Sequence, residues 1–446
     1  MIKSPITQFK TIVLIGLACL TGCSAETVPS AAEAELLGNN LRVLAEFPDG
    51  FAIHGVGGDT ALLFALQPSP SPSTPPGVHV ARRSDGFILP DVTPPPDGFG
   101  VPLSIKIETF HPIRGGSEGR FLLLDTRVPP AQSFTNPAPA HVYRYSYRYT
   151  RRSGLVTTLR ETHVLPLNTV PLDPSNPALP NGLVYPGSIA LLPEGRVAVT
   201  DSVFGGSIWV SDDASLDTWS LALIDPRFAG GFRTAIEGIG TDASGLISDY
   251  SLLTPRLPSF PPEQGYFPGT HSITYAHVTD EVCFAVTFPG GIFCIGLDEL
   301  LDMSVSPFAK SGSFLDGSWG SVRVVVPPVS GLGDLTDGVD YDRFAPSSPW
   351  LYWQRAPADE AAGWCNRLRR VHLITGEIED VACDVGIYNW ANEISVLPPM
   401  GHGSCTTTIL SSVGQEYNNP DVNGLLEGVS RYFAPSPMPA ISTTNF

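Results

Sequence analysis

One sentence of structure recurs along this chain, and the recurrence limits what the chain can fold into. A run of small or apolar residues leads into a turn, then a β-rich strand ending near Asp or Gly, another turn and a closing strand. Gly187-Ser188-Ile189-Ala190-Leu191-Leu192-Pro193-Glu194-Gly195-Arg196-Val197-Ala198-Val199-Thr200-Asp201, followed by Gly205-Gly206-Ser207-Ile208-Trp209-Val210, is the clearest copy. A second runs from His271 through Val282–Val286 to Gly291–Ile295, and a third from Gly338 through Trp350–Trp353 to Leu373, turning at Thr375-Gly376. Looser copies start near Phe51, Ile107 and Glu393. Forty-four glycines and forty-four prolines punctuate the 446 residues, and few stretches keep a helical period, so the units read as short strands joined by turns.

Six units of about four strands predict an all-β fold, a six-bladed β-propeller of four-stranded antiparallel blades, each buried only against its neighbours. The expected propeller covers residues 41–434. Pro-rich stretches at 68–77, 90–102 and 171–186 read as loop insertions, 297–303 as a short helical turn leaving a blade, and 435–446 as a tail.

The amino terminus speaks to location. Lys3 and Lys10 precede an apolar run, Thr11 to Leu20, too short to span a bilayer. Leu20-Thr21-Gly22-Cys23 follows, the pattern of a bacterial lipoprotein signal in residues 1–22. The Cys23 thiol is the expected acylation point, and two or three acyl chains anchor stably where one is marginal. An ordinary secretory signal with a coincidental cysteine is the alternative. Ser24 replaces the Asp that often retains lipoproteins at the inner membrane, so an outer-membrane address in the bacterial envelope is expected, facing periplasm or exterior. Residues 23–40 are small, polar and acidic, a lipidated tether.

Removing residues 1–22 takes away two lysines and no acid, leaving 24 basic and 44 acidic side chains, net −20. Such a chain repels phosphate backbones and shows no basic cluster along its sequence. Nucleic acid is excluded, and anionic lipid is an equally poor partner beyond the acyl anchor. A monomer is expected. Export permits disulfides. Cys283 and Cys294 flank the Phe288-Pro289-Gly290-Gly291 turn and are the first pairing; Cys365 with Cys383 is a second. Cys405 then stays free unless it displaces one of the others, and no zinc spacing is present.

The Gly187–Val210 copy resembles the blade unit of six-bladed propellers of the senescence marker protein/gluconolactonase and yellow/major royal jelly groups. Gly269-Thr270-His271-Ser272-Ile273-Thr274-Tyr275, with Leu297-Asp298-Glu299-Leu300-Leu301-Asp302, is similar to the royal jelly type, and Asp337-Gly338 matches the next blade's opening. The matches cover roughly residues 185–385. The gluconolactonase resemblance implies one divalent ion, calcium or similar, at the channel mouth, with Asp337 and Asn392 or Glu393 as ligands and His271 or His54 as base. His54 stands where that group has a Glu, and Ser188 where a side-chain ligand would be convenient. The yellow-type resemblance implies a small-ligand binder.

Inner-strand starts should ring the channel mouth; the repeats place His54, His111, Ser188, His271, Asp337, Asn392 and Glu393 there. Imidazoles and carboxylates converging on one funnel suit metal binding or general-base attack on a bound molecule. Asp334, Asp337, Asp340 and Asp342 crowd nine residues, but strand alternation prevents all four from sharing one ion. Gly115-Gly116-Ser117-Glu118-Gly119 spells a hydrolase string, yet a strand follows it where a nucleophile elbow needs a helix. Tyr143, Tyr145, Tyr147 and Tyr149 share one strand face, either packing between blades or forming a sugar-stacking platform. Two functions follow. The first is a non-catalytic module binding a small molecule or a protein in its funnel. The second is a metal-dependent lactonase or esterase.

Overall fold

The computed structural model describes residues 42–46, 55–67, 75–127, 138–169, 180–183, 186–201, 207–224, 270–286, 291–311, 320–326, 335–344, 349–356, 367–382, 393–399, 408–413 and 440–445. They form a β-propeller of six four-stranded antiparallel sheets.

Blade 1 holds β2 (Val56–Gly58), β3 (Leu62–Gln67), β4 (Gly77–Arg82) and β5 (Ile88–Leu89). Blade 2 holds β6 (Pro102–Ile113), β7 (Gly116–Asp125), β8 (His141–Thr150) and β9 (Gly154–Val164). Blade 3 comprises β10 (Pro186–Leu191), β11 (Val197–Asp201), β12 (Ser207–Ser211) and β13 (Trp219–Leu223). Blade 4 comprises β14 (Thr270–Ala276), β15 (Glu281–Val286), β16 (Gly291–Gly296) and β17 (Arg323–Val326). In blade 5, β18 (Leu335–Tyr341), β19 (Trp350–Ala356), β20 (Arg367–His372) and β21 (Ile378–Ala382) follow in order. Blade 6 is composite: β22 (Ile394–Leu397), β23 (Thr408–Val413) and β24 (Ala440–Asn445) take β1 (Arg42–Glu46) as their outermost strand. The two ends of the chain thus meet in one sheet, with Arg42 opposite Thr443 and Glu46 opposite Ala440. Residues 440–445 are therefore a strand and not the tail their polar composition suggested, because β1 and β23 supply pairing partners on both sides.

The inner strands β2, β6, β10, β14, β18 and β22 each touch the next, and β22 touches β2, so the ring is closed. A blade buries both faces, which is why its strands read as continuous apolar runs with no polar alternation. In blade 3, Ile189, Val199 and Trp209 face blade 2, while Ala198, Ile208 and Val210 face blade 4. The hydrophobic core divides accordingly into six inter-blade layers, one per interface. The tyrosine stripe of β8 belongs to the layer between blades 1 and 2, with Tyr145 stacked on Phe121 at 5.2 Å.

Two short helices, α1 (Leu297–Leu301) and α2 (Pro307–Ser311), lie between β16 and β17, so the helical turn sits inside blade 4 and does not leave it. The buried Lys310 closes the pair by donating from Nζ to the Leu300 carbonyl at 2.7 Å. Cys283 and Cys294 are register partners on β15 and β16 and are joined by a disulfide. Cys23, Cys365, Cys383 and Cys405 lie outside the described residues. Among the described residues no helix is long and apolar enough to cross a membrane.

Candidate functional site

Antiparallel order fixes two faces. Every inner strand starts at the channel mouth, and the first and third hairpin turns of every blade lie on the far face. Three inner-strand starts converge on one carboxyl group. Glu393, immediately before β22, is 1 % exposed. Its Oε1 accepts from the hydroxyls of Ser104 on β6 at 2.5 Å and Ser188 on β10 at 2.6 Å. The two serines lie 3.4 Å apart, so blades 2, 3 and 6 share this cluster. Strand alternation puts Ser104 and Lys106 on the same face of β6.

The cluster is incomplete. Glu393 Oε2 and Lys106 Nζ are both buried and lack a hydrogen-bond partner. Burial pushes the Glu393 carboxyl above the ordinary carboxylate range; the Lys106 ammonium and the two serine hydroxyls oppose the rise, and Asp340 adds to it. Unsatisfied buried polar atoms are costly, more so when charged. One stands on β6 and the other immediately ahead of β22.

The far end of the channel is crossed by blade 2. Its strands run ten to twelve residues where those of the other blades have seven at most. The Ile107 carbonyl accepts from Arg343 at 3.3 Å, and the Phe110 ring meets Phe344 edge-on at 6.3 Å. Arg343 and Phe344 follow β18 in blade 5, opposite blade 2 in the ring. Tyr147 also donates to Asp59 of blade 1 at 2.6 Å. The long arm is thus pinned across the far face, and the polar cluster sits at the mouth.

Of the residues expected at the mouth, Ser188 and Glu393 come together as described. His111 does not reach it. It stands exposed near the turn of the arm, opposite Glu118, because the strand of blade 2 begins at Pro102 and Ser104 occupies the mouth position. His54 and Asn392 lie outside the described residues. His271 and Asp337 are placed by backbone on β14 and β18, with Asp337 opposite Gln354. Ser104 and Lys106 were missed: the copy in blade 2 was placed near Ile107, whereas its strand begins at Pro102.

The acidic run is not a loop around one ion. Asp340 accepts from Thr274 Oγ1 at 3.0 Å and from the Val396 amide at 2.8 Å, clamping blades 4, 5 and 6 together. Asp342 is buried and caps Phe344 N–H at 3.1 Å. Calcium takes six to eight oxygens. Among the carboxylates at the mouth whose side chains are described, Glu393 keeps one oxygen without a hydrogen-bond partner, and a neighbouring ammonium repels a cation; the Asp337 side chain lies outside the described residues. Among the described residues the one group of three possible metal ligands is Glu281 with Cys283 and Cys294, and its sulfurs are spent in the disulfide. The Gly115–Gly119 string is a hairpin, with Gly115 at φ +76° in the turn and Ser117 buried in the strand beyond.

Fold and site together define a closed β-propeller with a polar cluster at its channel mouth. No protein-family model matches the chain, and no curated protein matches it. Solved structures similar to it include a protein of unknown function from Bacteroides thetaiotaomicron, 13 % identical over 91 % of this chain and 76 % of that one, with TM-score 0.44. The Malassezia sympodialis allergen Mala s 1 is 9 % identical over 89 % and 92 %, TM-score 0.46, and a glucose dehydrogenase 10 % identical over 91 % and 98 %, TM-score 0.40.

Proposed function

We propose that this chain is an exported, lipid-anchored propeller that binds a small polar molecule in its channel mouth without transforming it. The observation that carries the reading is the pair of buried, unpartnered groups, Glu393 Oε2 and Lys106 Nζ. A hydroxyl-bearing ligand donates to the carboxyl and accepts from the ammonium at once, completing both. The arm across the far face makes the mouth the entrance. The anchor rests on the Leu20–Cys23 pattern, and the outer-membrane address on Ser24.

The test is calorimetric titration of the full chain with monosaccharides, aldonic acids and their lactones, repeated on Glu393→Gln and Lys106→Met. At a pH where Glu393 is ionised, Glu393→Gln keeps an acceptor for the two serines but turns the free oxygen into a donor, so binding should fall at least about tenfold. Binding that ignores both substitutions would sink the reading. The lactonase alternative, similar to the gluconolactonase group, needs its ion. One tightly held divalent ion per chain, lost on Asp337→Ala together with lactone hydrolysis, would favour it over a binding module.

A further inference from the structure

The face opposite the mouth carries a charge pattern that the linear sequence conceals. Four long strands of blade 2 bring Arg114, Arg120, Arg148, Arg151, Arg152 and Arg160 onto the projecting end of the arm, all exposed. Its two turns stand side by side, with the Arg151 amide donating to the Gly115 carbonyl at 3.0 Å. Three exposed carboxylates stand against them: Glu118 faces Arg148 at 3.5 Å, Asp85 pairs with Arg82 beside Arg151, and Glu161 pairs with Arg144. The tyrosine face of the arm is buried against blade 1, so its arginine face looks outward. In a chain of net charge −18, this is a strongly basic end on an acidic body.

Exposed apolar side chains stand on both sides of the arm. Val156, the register partner of Arg148, is 58 % exposed. Phe87, in the far-face turn of blade 1, is 60 % exposed with the Arg82 guanidinium 5.0 Å over its ring, and Ile88 beside it is also exposed. The turn adjoins the arm: Tyr149 lies against Arg82, and Arg151 acts on Asp85. Guanidinium groups with exposed aromatic and branched side chains suit an anionic lipid interface, where apolar groups enter the headgroup layer and arginines meet phosphates.

The chain enters the propeller on the same face. β1 is an outermost strand, and its first residue, Arg42, pairs with Thr443 near the end of β24, so Arg42 lies at the far face, one blade away from Phe87. Acidic turns at Asp212 and Asp213 in the adjacent blade 3 and at Asp298 and Asp302 in blade 4 lie on the same face, set back from the projecting arm by the shorter strands of those blades. We infer that the blade 1 and blade 2 sector of the far face docks on an anionic membrane, with the propeller tilted so that the acidic turns lift clear and the channel mouth points outward. The orientation rests on the proposed anchor at Cys23; the charge and exposure of the arm do not.

Full chain carrying Cys23→Ala, which lacks the acylation point, is sedimented with phosphatidylglycerol vesicles and with phosphatidylcholine vesicles at low and high salt. It is compared with the same chain bearing Arg114→Glu, Arg151→Glu and Arg152→Glu. These are exposed turn positions, and the Arg151 amide bond is kept by any residue. Binding to phosphatidylglycerol should exceed that to phosphatidylcholine, vanish in high salt, and weaken by about two orders of magnitude in the triple variant. The signal segment is common to both Cys23→Ala forms, so the difference between those two reads the arm. Equal binding to both lipids, or a triple variant that binds as well, overturns the inference, as does retention by a DNA duplex without retention by vesicles. If the unsubstituted chain washes off with salt just as Cys23→Ala does, the anchor fails and the docking sector stands. If the unsubstituted chain stays bound and Cys23→Ala never binds, the sector fails and the anchor stands.

Discussion

Glu393 concentrates the chemistry of the channel in one side chain. Its carboxyl is held above the ordinary value of 4.5, chiefly by burial. The folded protein therefore keeps a proton that the unfolded chain releases. Stability from this group is full below about pH 4.5 and is lost as pH rises from there through the raised folded value. Glu393→Gln should remove that loss. The difference in unfolding free energy between variant and parent should grow with pH across this window in favour of the variant, read by urea denaturation at several pH values. A difference that stays flat with pH would show that the carboxyl is ionised in both states. Asp340 plays a structural part, since both its oxygens accept hydrogen bonds from neighbouring blades. Asp340→Ala should cost about 2–4 kcal/mol and leave ligand binding intact in whatever fraction stays folded. Ser188 and Glu393 were legible at the mouth because both follow recognisable blade openings. Ser104 and Lys106 were not, since a twelve-residue strand hides where its inner part begins. The aspartate run misled for a related reason: spacing shows that carboxylates are near one another in sequence, whereas Asp340 spends its oxygens on blades 4 and 6.

At the scale of elements, the arm of blade 2 departs most from the repeated unit. It depends on close backbone approach: a Cβ at Gly119 would lie 2.1 Å from the Thr109 carbonyl oxygen. Gly119→Ala should therefore destabilise the protein by about 1–3 kcal/mol, and hydrogen exchange should quicken in β6 to β9 before the other blades. Exchange that quickens evenly everywhere would show that the arm is not a separate unit. The Cys283–Cys294 bridge closes a separation of eleven residues. Its double substitution to Ala should cost about 2–3 kcal/mol by the loop-entropy argument, measured as a shift in denaturant midpoint at constant slope. Both hairpins were visible as turn signals between apolar strands. Their lengths and tilt were not, because Gly-rich turns report where a chain reverses and say nothing of how far a strand projects. Of the six exposed arginines, Arg148, Arg151 and Arg152 are already close in sequence, whereas Arg114, Arg120 and Arg160 lie apart from them. Only the register of four paired strands gathers them.

For the molecule as a whole, stability turns on the closing blade. The amino-terminal β1 and carboxy-terminal β24 meet across nearly 400 residues of chain, and joining ends that far apart costs about 5 kcal/mol of loop-closure entropy. Backbone pairing offsets part of that cost, and the seam adds more. Arg83, whose burial lowers its pKa to about 10, donates to the Asp59 carbonyl in blade 1 and the Pro398 carbonyl in blade 6. The sequence could not show this arrangement, since residues 440–445 are polar and acquire a strand's character only between β23 and β1. Two opposite interventions follow. Ending the chain at Pro439 removes the partner that holds β1, so the melting temperature should fall by about 10 °C or more, well beyond the effect of a point substitution in one blade. Val43→Cys with Ser442→Cys joins register partners on β1 and β24, prepays the closure entropy, and should stabilise the oxidised protein by up to about 5 kcal/mol over its reduced form. If the truncated chain melts where the full one does, the ring is held by inter-blade cores alone and closure through the termini is dispensable.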